Sequence, residues 1–95
     1  MSQDEVDLVD VREPYEWEAG HIEGSRHVPL GELAADRVET RRRVVFVCRV
    51  GGRSAFATQA FRRAGYDAHN LDGGILAWVE RGLPLAPDGG YVANH

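Results

Sequence analysis

Lysine is absent from this 95-residue chain and cysteine occurs once, at Cys48. A single cysteine excludes an internal disulfide, and one cysteine with four scattered histidines offers no zinc-binding spacing. No apolar run is longer than Val44 to Cys48, far short of the ~20 residues a membrane-spanning helix needs. The basic residues, all arginine, number 11 against 15 acidic ones, for a net charge of -4. That balance lacks the basic surplus that phosphate-backbone binding calls for, which disfavours nucleic acid as a partner. Met1 to Asp10 is acidic where a secretory signal would be basic and then apolar, so the expected location is the cytoplasm, away from the membrane. What is present is a hydrophobic fraction of 43%, enough for one compact core. The expectation is a single domain over 1–95, with its core over about 6–84 and a loose C-terminal tail over 85–95.

Short β-like segments alternate with helical patterns along the chain. Asp7 to Val11 predicts a strand, and Pro14 to Ala19 predicts one or two helical turns closed by Gly20. His27-Val28-Pro29 predicts a very short strand, followed by a brief helix through Gly31 to Ala35, and Arg41 to Arg43 a solvated approach to the next strand. Val44 to Val47 is the clearest strand, apolar on both faces as in the middle of a parallel sheet. After a loop, Phe56, Ala57, Ala60, Phe61 and Ala64 mark the apolar face of a helix, with Ser54 as its expected N-cap and Gly65 as its stop. Tyr66 to Leu71 predicts a further strand, and Ile75, Leu76, Trp78 and Val79 the inner face of a last helix ended by Gly82 and Pro84. The alternation points to an α/β domain with a small, mainly parallel sheet flanked by helices. Ligands in such sheets bind at the carboxyl ends of the strands, which is where Cys48 lies.

The loop Cys48-Arg49-Val50-Gly51-Gly52-Arg53 leads directly to Ser54 and the helix. Gly51 and Gly52 permit backbone angles at which successive N–H groups converge, and the helix N-terminus adds partial positive charge behind them. Arg49 and Arg53 bring two permanent charges within six residues. These surroundings predict an anion cradle centred on the sulfur, with a depressed thiol pKa. At the ordinary value of ~8.5 only about 3% of a thiol is ionised at neutral pH, and a drop to ~6.5 raises that to about three quarters. The alternative is a small buried hydrophobe at a strand end, which would need neither the Gly-Gly pair nor the flanking arginines.

The ordered motifs of the chain resemble those of single-domain rhodaneses, a family of sulfurtransferases. Asp10-Val11-Arg12-Glu13-Pro14 resembles the family's early signature, and Trp17 followed by Gly20-His21-Ile22-Glu23-Gly24-Ser25 resembles the next. Val28-Pro29, the strand and loop from Val45 to Ser54, and Leu71-Asp72-Gly73-Gly74 through Trp78 follow in the same order. The resemblance covers about Val6 to Pro84 and implies a rhodanese-like fold, here without the extra N-terminal edge strand that many relatives carry. It also implies ping-pong sulfur transfer with no metal and no organic cofactor. Cys48 would take the outer sulfur of a small anionic donor such as thiosulfate as a persulfide, and a thiol or cyanide would then remove it. Cys48 is the expected catalytic residue, and Arg49, Val50, Gly51, Gly52, Arg53 and Ser54 are the expected substrate-binding loop. Which arginine meets the substrate stays open. Val50 departs from the small residue common at its position, which bears on donor fit.

Asp10 and Arg12 share a strand face and are expected to brace the neighbouring loop. His21 is expected to serve as a hydrogen-bonding turn residue, and Trp17 and Trp78 as packing. A persulfide carrier working with a protein partner in a sulfur relay shares the chemistry, and a non-catalytic binding module is a further alternative. Phosphatase or arsenate reductase chemistry is disfavoured, because only four residues separate Cys48 from Arg53 and the tighter loop leaves less space for a tetrahedral anion.

Overall fold

The computed structural model describes residues 6–33 and 43–94. In chain order the elements are β1 (Val6–Asp10), α1 (Pro14–Ala19), β2 (Arg26–His27), a 3-10 turn (Leu30–Glu32), β3 (Arg43–Val47), α2 (Gly52–Arg63), β4 (Ala68–Asn70) and α3 (Gly74–Glu80). The four strands form one parallel sheet in the order β2-β1-β3-β4. The chain leaves β1 toward one edge and β3 toward the other, so the carboxyl ends of these two central strands form the switch point where such sheets bind ligands. Register puts Asp10 beside Val47, and the amide of Val11 donates to the Val47 carbonyl at 2.9 Å. Cys48 is therefore the first residue beyond the sheet at its centre.

Alternation along the strands divides the core in two. Val9, Val11, Val44, Phe46 and Cys48 face α2, where they pack with Ala57 and Phe61. Val47 faces the opposite side, with Ile22, Ile75, Leu8, Trp78, Leu85 and Val92. Full burial of an aromatic or branched side chain such as Phe46 or Ile75 stabilises the fold by about 1.5–3 kcal/mol each.

Several expected elements shift. The Pro29 ring has no N–H to offer, so β2 closes at His27, although the Val28 amide still donates to the Asp10 carbonyl at 3.0 Å. The helix expected through Gly31 to Ala35 is a 3-10 turn over Leu30–Glu32, and Ala34 and Ala35 lie outside the described residues. Arg43 belongs to β3 and pairs with Asp67 at 3.2 Å, while Arg41 and Arg42 lie outside the described residues. In α2 the buried positions are Ser54, Ala57, Thr58 and Phe61, a clean i, i+3, i+4, i+7 stripe. Phe56, expected on that stripe, is 68% exposed, and Ala60 and Ala64 are exposed too. Gly65 has φ +95°, as a left-handed helix stop requires.

The segment expected to be a loose tail packs back across the α1 side of the molecule. His21 and Ala86 exchange two backbone hydrogen bonds of 3.0 and 2.7 Å, and the Tyr91 amide donates to the Ala19 carbonyl at 2.9 Å. Gly20 is what permits this approach, since a Cβ there would sit 2.7 Å from the Tyr91 backbone. Leu85 and Val92 supply the apolar anchors of this strap.

Candidate active site

The loop after β3 is fixed from behind by α3. The Ile75 amide donates to the Cys48 carbonyl at 2.9 Å and the Leu76 amide to the Arg49 carbonyl at 3.1 Å. Gly74 has φ +63°, and a Cβ there would lie 2.6 Å from the Cys48 carbonyl oxygen. The Gly73-Gly74 pair thus lets α3 press its first amides against the loop, which turns the loop carbonyls away from the sulfur.

In front, donors converge on Cys48 Sγ. The Gly51 amide lies 3.0 Å away, the Ser54 hydroxyl 3.3 Å and the Ser54 amide 3.5 Å. Gly51 caps α2 with φ +111°, a left-handed backbone that accounts for glycine here. Gly52 shows no such constraint; it is an exposed first residue of the helix with an ordinary φ. Ser54 is not the N-cap that its position suggests. It lies inside the first turn, fully buried, with its hydroxyl on Sγ and on the Asn70 carboxamide oxygen. Burial pushes the thiol pKa up, but the Ser54 hydroxyl and the amides of Ser54, Gly51 and Val50 outweigh it. The net displacement is downward from the ordinary thiol value.

Neither loop arginine donates to the sulfur. Arg53 turns to Glu16 and grips both carboxylate oxygens, at 2.8 and 2.9 Å. Glu16 is fully buried, and its Oε1 also accepts the Glu13 amide at 3.0 Å at the start of α1. The Arg53 guanidinium pKa is raised, chiefly by this bond to Glu16 and in part by the negative charge of Cys48. Arg49 reaches the strap, where its Nη2 lies 3.4 Å from Asn94 Oδ1, and its buried Nε makes no hydrogen bond among the described residues. Val50 is 57% exposed at the loop's crest.

Asp10 and Arg12 form a pair that is wholly excluded from solvent. Arg12 Nη2 reaches Asp10 Oδ2 at 2.7 Å and the Gly20 carbonyl at 2.8 Å, and Arg12 Nε bridges both Asp10 oxygens. The pair therefore fastens the turn that ends α1 to the end of β1. Trp17 is half-buried, with the His21 ring stacked on it at 3.6 Å and the His27 ring stacked at 5.0 Å. The His21 Nδ1 is hydrogen-bonded to the Trp17 carbonyl at 2.8 Å, which occupies it in the turn.

Three contributors escaped the sequence reading. Glu16 stands three residues after Glu13 at capping-box spacing, a signal for a helix start but not for a tie to Arg53. Asn70 carries no spacing signal, since only the parallel pairing of β3 with β4 brings it beside Ser54. Asn94 fell within a segment expected to be loose.

The rhodanese-like domain family model matches residues 1–81. The chain belongs to this family. Among curated relatives, this rhodanese-like domain is 38% identical over 90 residues to a sulfurtransferase of Allochromatium vinosum, covering 90% of this chain and 84% of that protein. It is 41% identical over 83 residues to the probable adenylyltransferase/sulfurtransferase MoeZ of Mycobacterium tuberculosis, covering 81% of this chain and 21% of the relative. The chain thus spans about a fifth of the length of that relative, and less than two thirds of several others. A rhodanese-related protein of Thermoplasma volcanium superposes with a TM-score of 0.81 at 32% identity, covering 86% of this chain and 84% of that one. The α/β fold with its parallel sheet, expected from the alternation of elements, is the fold of these neighbours.

Proposed function

We propose that this rhodanese-like domain transfers a sulfane sulfur from a small anionic donor to a thiol or cyanide acceptor through a persulfide on Cys48. The observation that carries the reading is the convergence of the Gly51 and Ser54 amides and the Ser54 hydroxyl on Sγ at the start of α2. With thiosulfate, the Cys48 thiolate attacks the outer sulfur, the S–S bond of the donor breaks, and sulfite leaves with the bonding pair. The product, Cys48–S–S⁻, carries its charge where amide dipoles oppose it. Cyanide then attacks the terminal sulfur, thiocyanate leaves, and the thiolate is restored. A thiol displaced toward ionisation leaves less for a separate general base to do. Cys48 is fully covered in this state, so entry of the donor requires the loop side chains to part.

Arg49 has an unused Nε donor for the incoming anion, whereas both Nη atoms of Arg53 are engaged by Glu16. That engagement also counts against phosphatase chemistry, which would need the loop arginine on a tetrahedral oxyanion. Retention of Cys48 within its cradle counts against a purely non-catalytic module. With one cysteine in these 95 residues, a persulfide has no second thiol within the domain to resolve it, so its acceptor lies outside the domain. A protein relay partner fits that requirement, and the joint adenylyltransferase/sulfurtransferase name of the Mycobacterium tuberculosis relative supports it. A free, reactive thiol fits the cytoplasm, and among the described residues no helix is long and apolar enough to cross a membrane.

Mass spectrometry after thiosulfate treatment tests the reading. A gain of about 32 Da on the Cys48 peptide, removed by cyanide and absent from Cys48→Ser, is expected for a persulfide. Thiocyanate production by Cys48→Ser at the wild-type rate would overturn it.

A further inference from the structure

The Ser54 hydroxyl has one hydrogen and three acceptors within reach: Cys48 Sγ at 3.3 Å, the Gly51 carbonyl at 3.3 Å and the Asn70 carboxamide oxygen. A neutral thiol is a weak acceptor and a carboxamide oxygen a good one, whereas a thiolate outcompetes both for a donor. Asn70 is held in place because its Nδ2 donates to the Gly51 carbonyl at 3.2 Å. Its oxygen is thereby presented to Ser54 and to no other donor among the described residues.

We propose that Asn70 is a positioning residue that competes with Cys48 for the Ser54 hydroxyl hydrogen and so restrains ionisation of the thiol. In the thiol form Ser54 donates to Asn70 and can accept the S–H of Cys48. On ionisation the thiol proton passes to solvent, and the Ser54 hydroxyl turns from Asn70 to the sulfur, leaving the Asn70 oxygen without that bond. Each ionisation therefore breaks one good hydrogen bond while making another. The restraint has a use in sulfur transfer, since the intrinsic nucleophilicity of a thiolate falls as its pKa falls. A cradle of amides with an unopposed hydroxyl would ionise the sulfur more completely and blunt it.

The charged groups around the sulfur are Arg53 on α2 and Arg49 in the loop, with Glu16 of α1 and Asp10 of β1 acting on Arg53. On β4, His69 is paired with Asp67 at 2.7 Å. None of these bonds Asn70, so an uncharged replacement leaves them in place. Asn70 also lines a solvent-open cavity with Thr58, Arg62 and His69, so its truncation buries no void.

The proposal rests on the reading of Cys48 as the nucleophile, but its test reads the thiol directly. Iodoacetamide alkylation of the full chain is followed against pH for wild type, Asn70→Ala, Asn70→Leu, Ser54→Ala and the Ser54→Ala/Asn70→Ala double variant. The two Asn70 variants are expected to move the alkylation midpoint to lower pH and to speed reaction near pH 6 about three-fold. Asn70→Leu keeps the side-chain volume without an acceptor and serves if Asn70→Ala fails to fold. Ser54→Ala is expected to move the midpoint to higher pH, and in its background Asn70→Ala is expected to do nothing. An unmoved midpoint in the Asn70 variants overturns the proposal, as does an equal shift with and without Ser54, which would mean that Asn70 acts through the Gly51 carbonyl. Correct thiol shifts without sulfur transfer would uphold the Asn70 role and refute the proposed function instead.

Discussion

Two of the arginine–carboxylate pairs among the described residues lie near Cys48, at the carboxyl ends of the central strands, and they are built differently. Arg12 and Asp10 are two residues apart, share one strand end, and are both wholly excluded from solvent. Arg53 and Glu16 are 37 residues apart and join the start of α2 to α1, with the arginine side chain 21% exposed. The first pair satisfies local backbone as well as itself, since Arg12 also holds the Gly20 carbonyl. The second closes a long loop around the sulfur and offsets a cation whose charge reaches Cys48. The first is a fastening of the fold and the second a setting of the site, although the residue types are the same.

Breaking the inner pair is expected to have the largest effect. Arg12→Ala leaves the buried Asp10 carboxylate without its cation, held by the backbone amide of residue 12 at 3.0 Å, with an expected loss of about 3–5 kcal/mol in urea denaturation. A loss under about 1 kcal/mol would show that the pair is not what secures the α1 turn. Glu16→Gln is expected to cost less, about 1–3 kcal/mol, because Arg53 can turn toward water. Its more telling effect is on the sulfur. With Glu16 neutral, the Arg53 charge acts unopposed on Cys48, so the midpoint of thiol alkylation is expected to fall to lower pH. An unchanged midpoint would reduce the second pair to a structural tie like the first.

The smallest effect concerns stability against pH. The Cys48 thiol is displaced downward in the folded state by hydrogen bonds that overcome burial. The folded protein therefore binds fewer protons at this group, and stability rises with pH between the folded and unfolded thiol values. The contribution is complete above the unfolded value of ~8.5 and is lost as pH falls through the folded one. The stability difference between wild type and Cys48→Ala, measured under reducing conditions, is expected to grow in favour of wild type as pH is raised across that window. A difference that shrinks would contradict the downward displacement.

What could be read from the sequence was what local pattern determines. The apolar run of β3, the glycine loop after it and the start of α1 at Pro14 each follow from residues next to one another. The site was legible in its centre, Cys48, and in the two residues whose backbone or hydroxyl meets the sulfur, Gly51 and Ser54. It was not legible in its outer parts, because Glu16, Asn70 and Asn94 reach the loop only after strands have paired and the strap has folded back. Ser54 shows the limit well. N-cap preference favours serine before a helix, but the left-handed backbone of Gly51 moved the cap three residues upstream and freed the serine for the thiol. The helix pattern likewise placed Phe56 inside, where the observed stripe runs one residue further along through Ala57 and Thr58.

α3 takes up the loop carbonyls from behind the sulfur. With the oxygens of Cys48 and Arg49 consumed on the far side and that of Gly51 held by Asn70, the peptide units around the sulfur have their negative ends committed elsewhere. The cradle around the sulfur thus has a polarity opposite to the chain's net charge of -4. Peptide dipoles do not titrate, and in a site closed to solvent they are screened far less than surface charge. Mobile counter-ions can screen the acidic exterior, while the positive interior sign of the cradle persists.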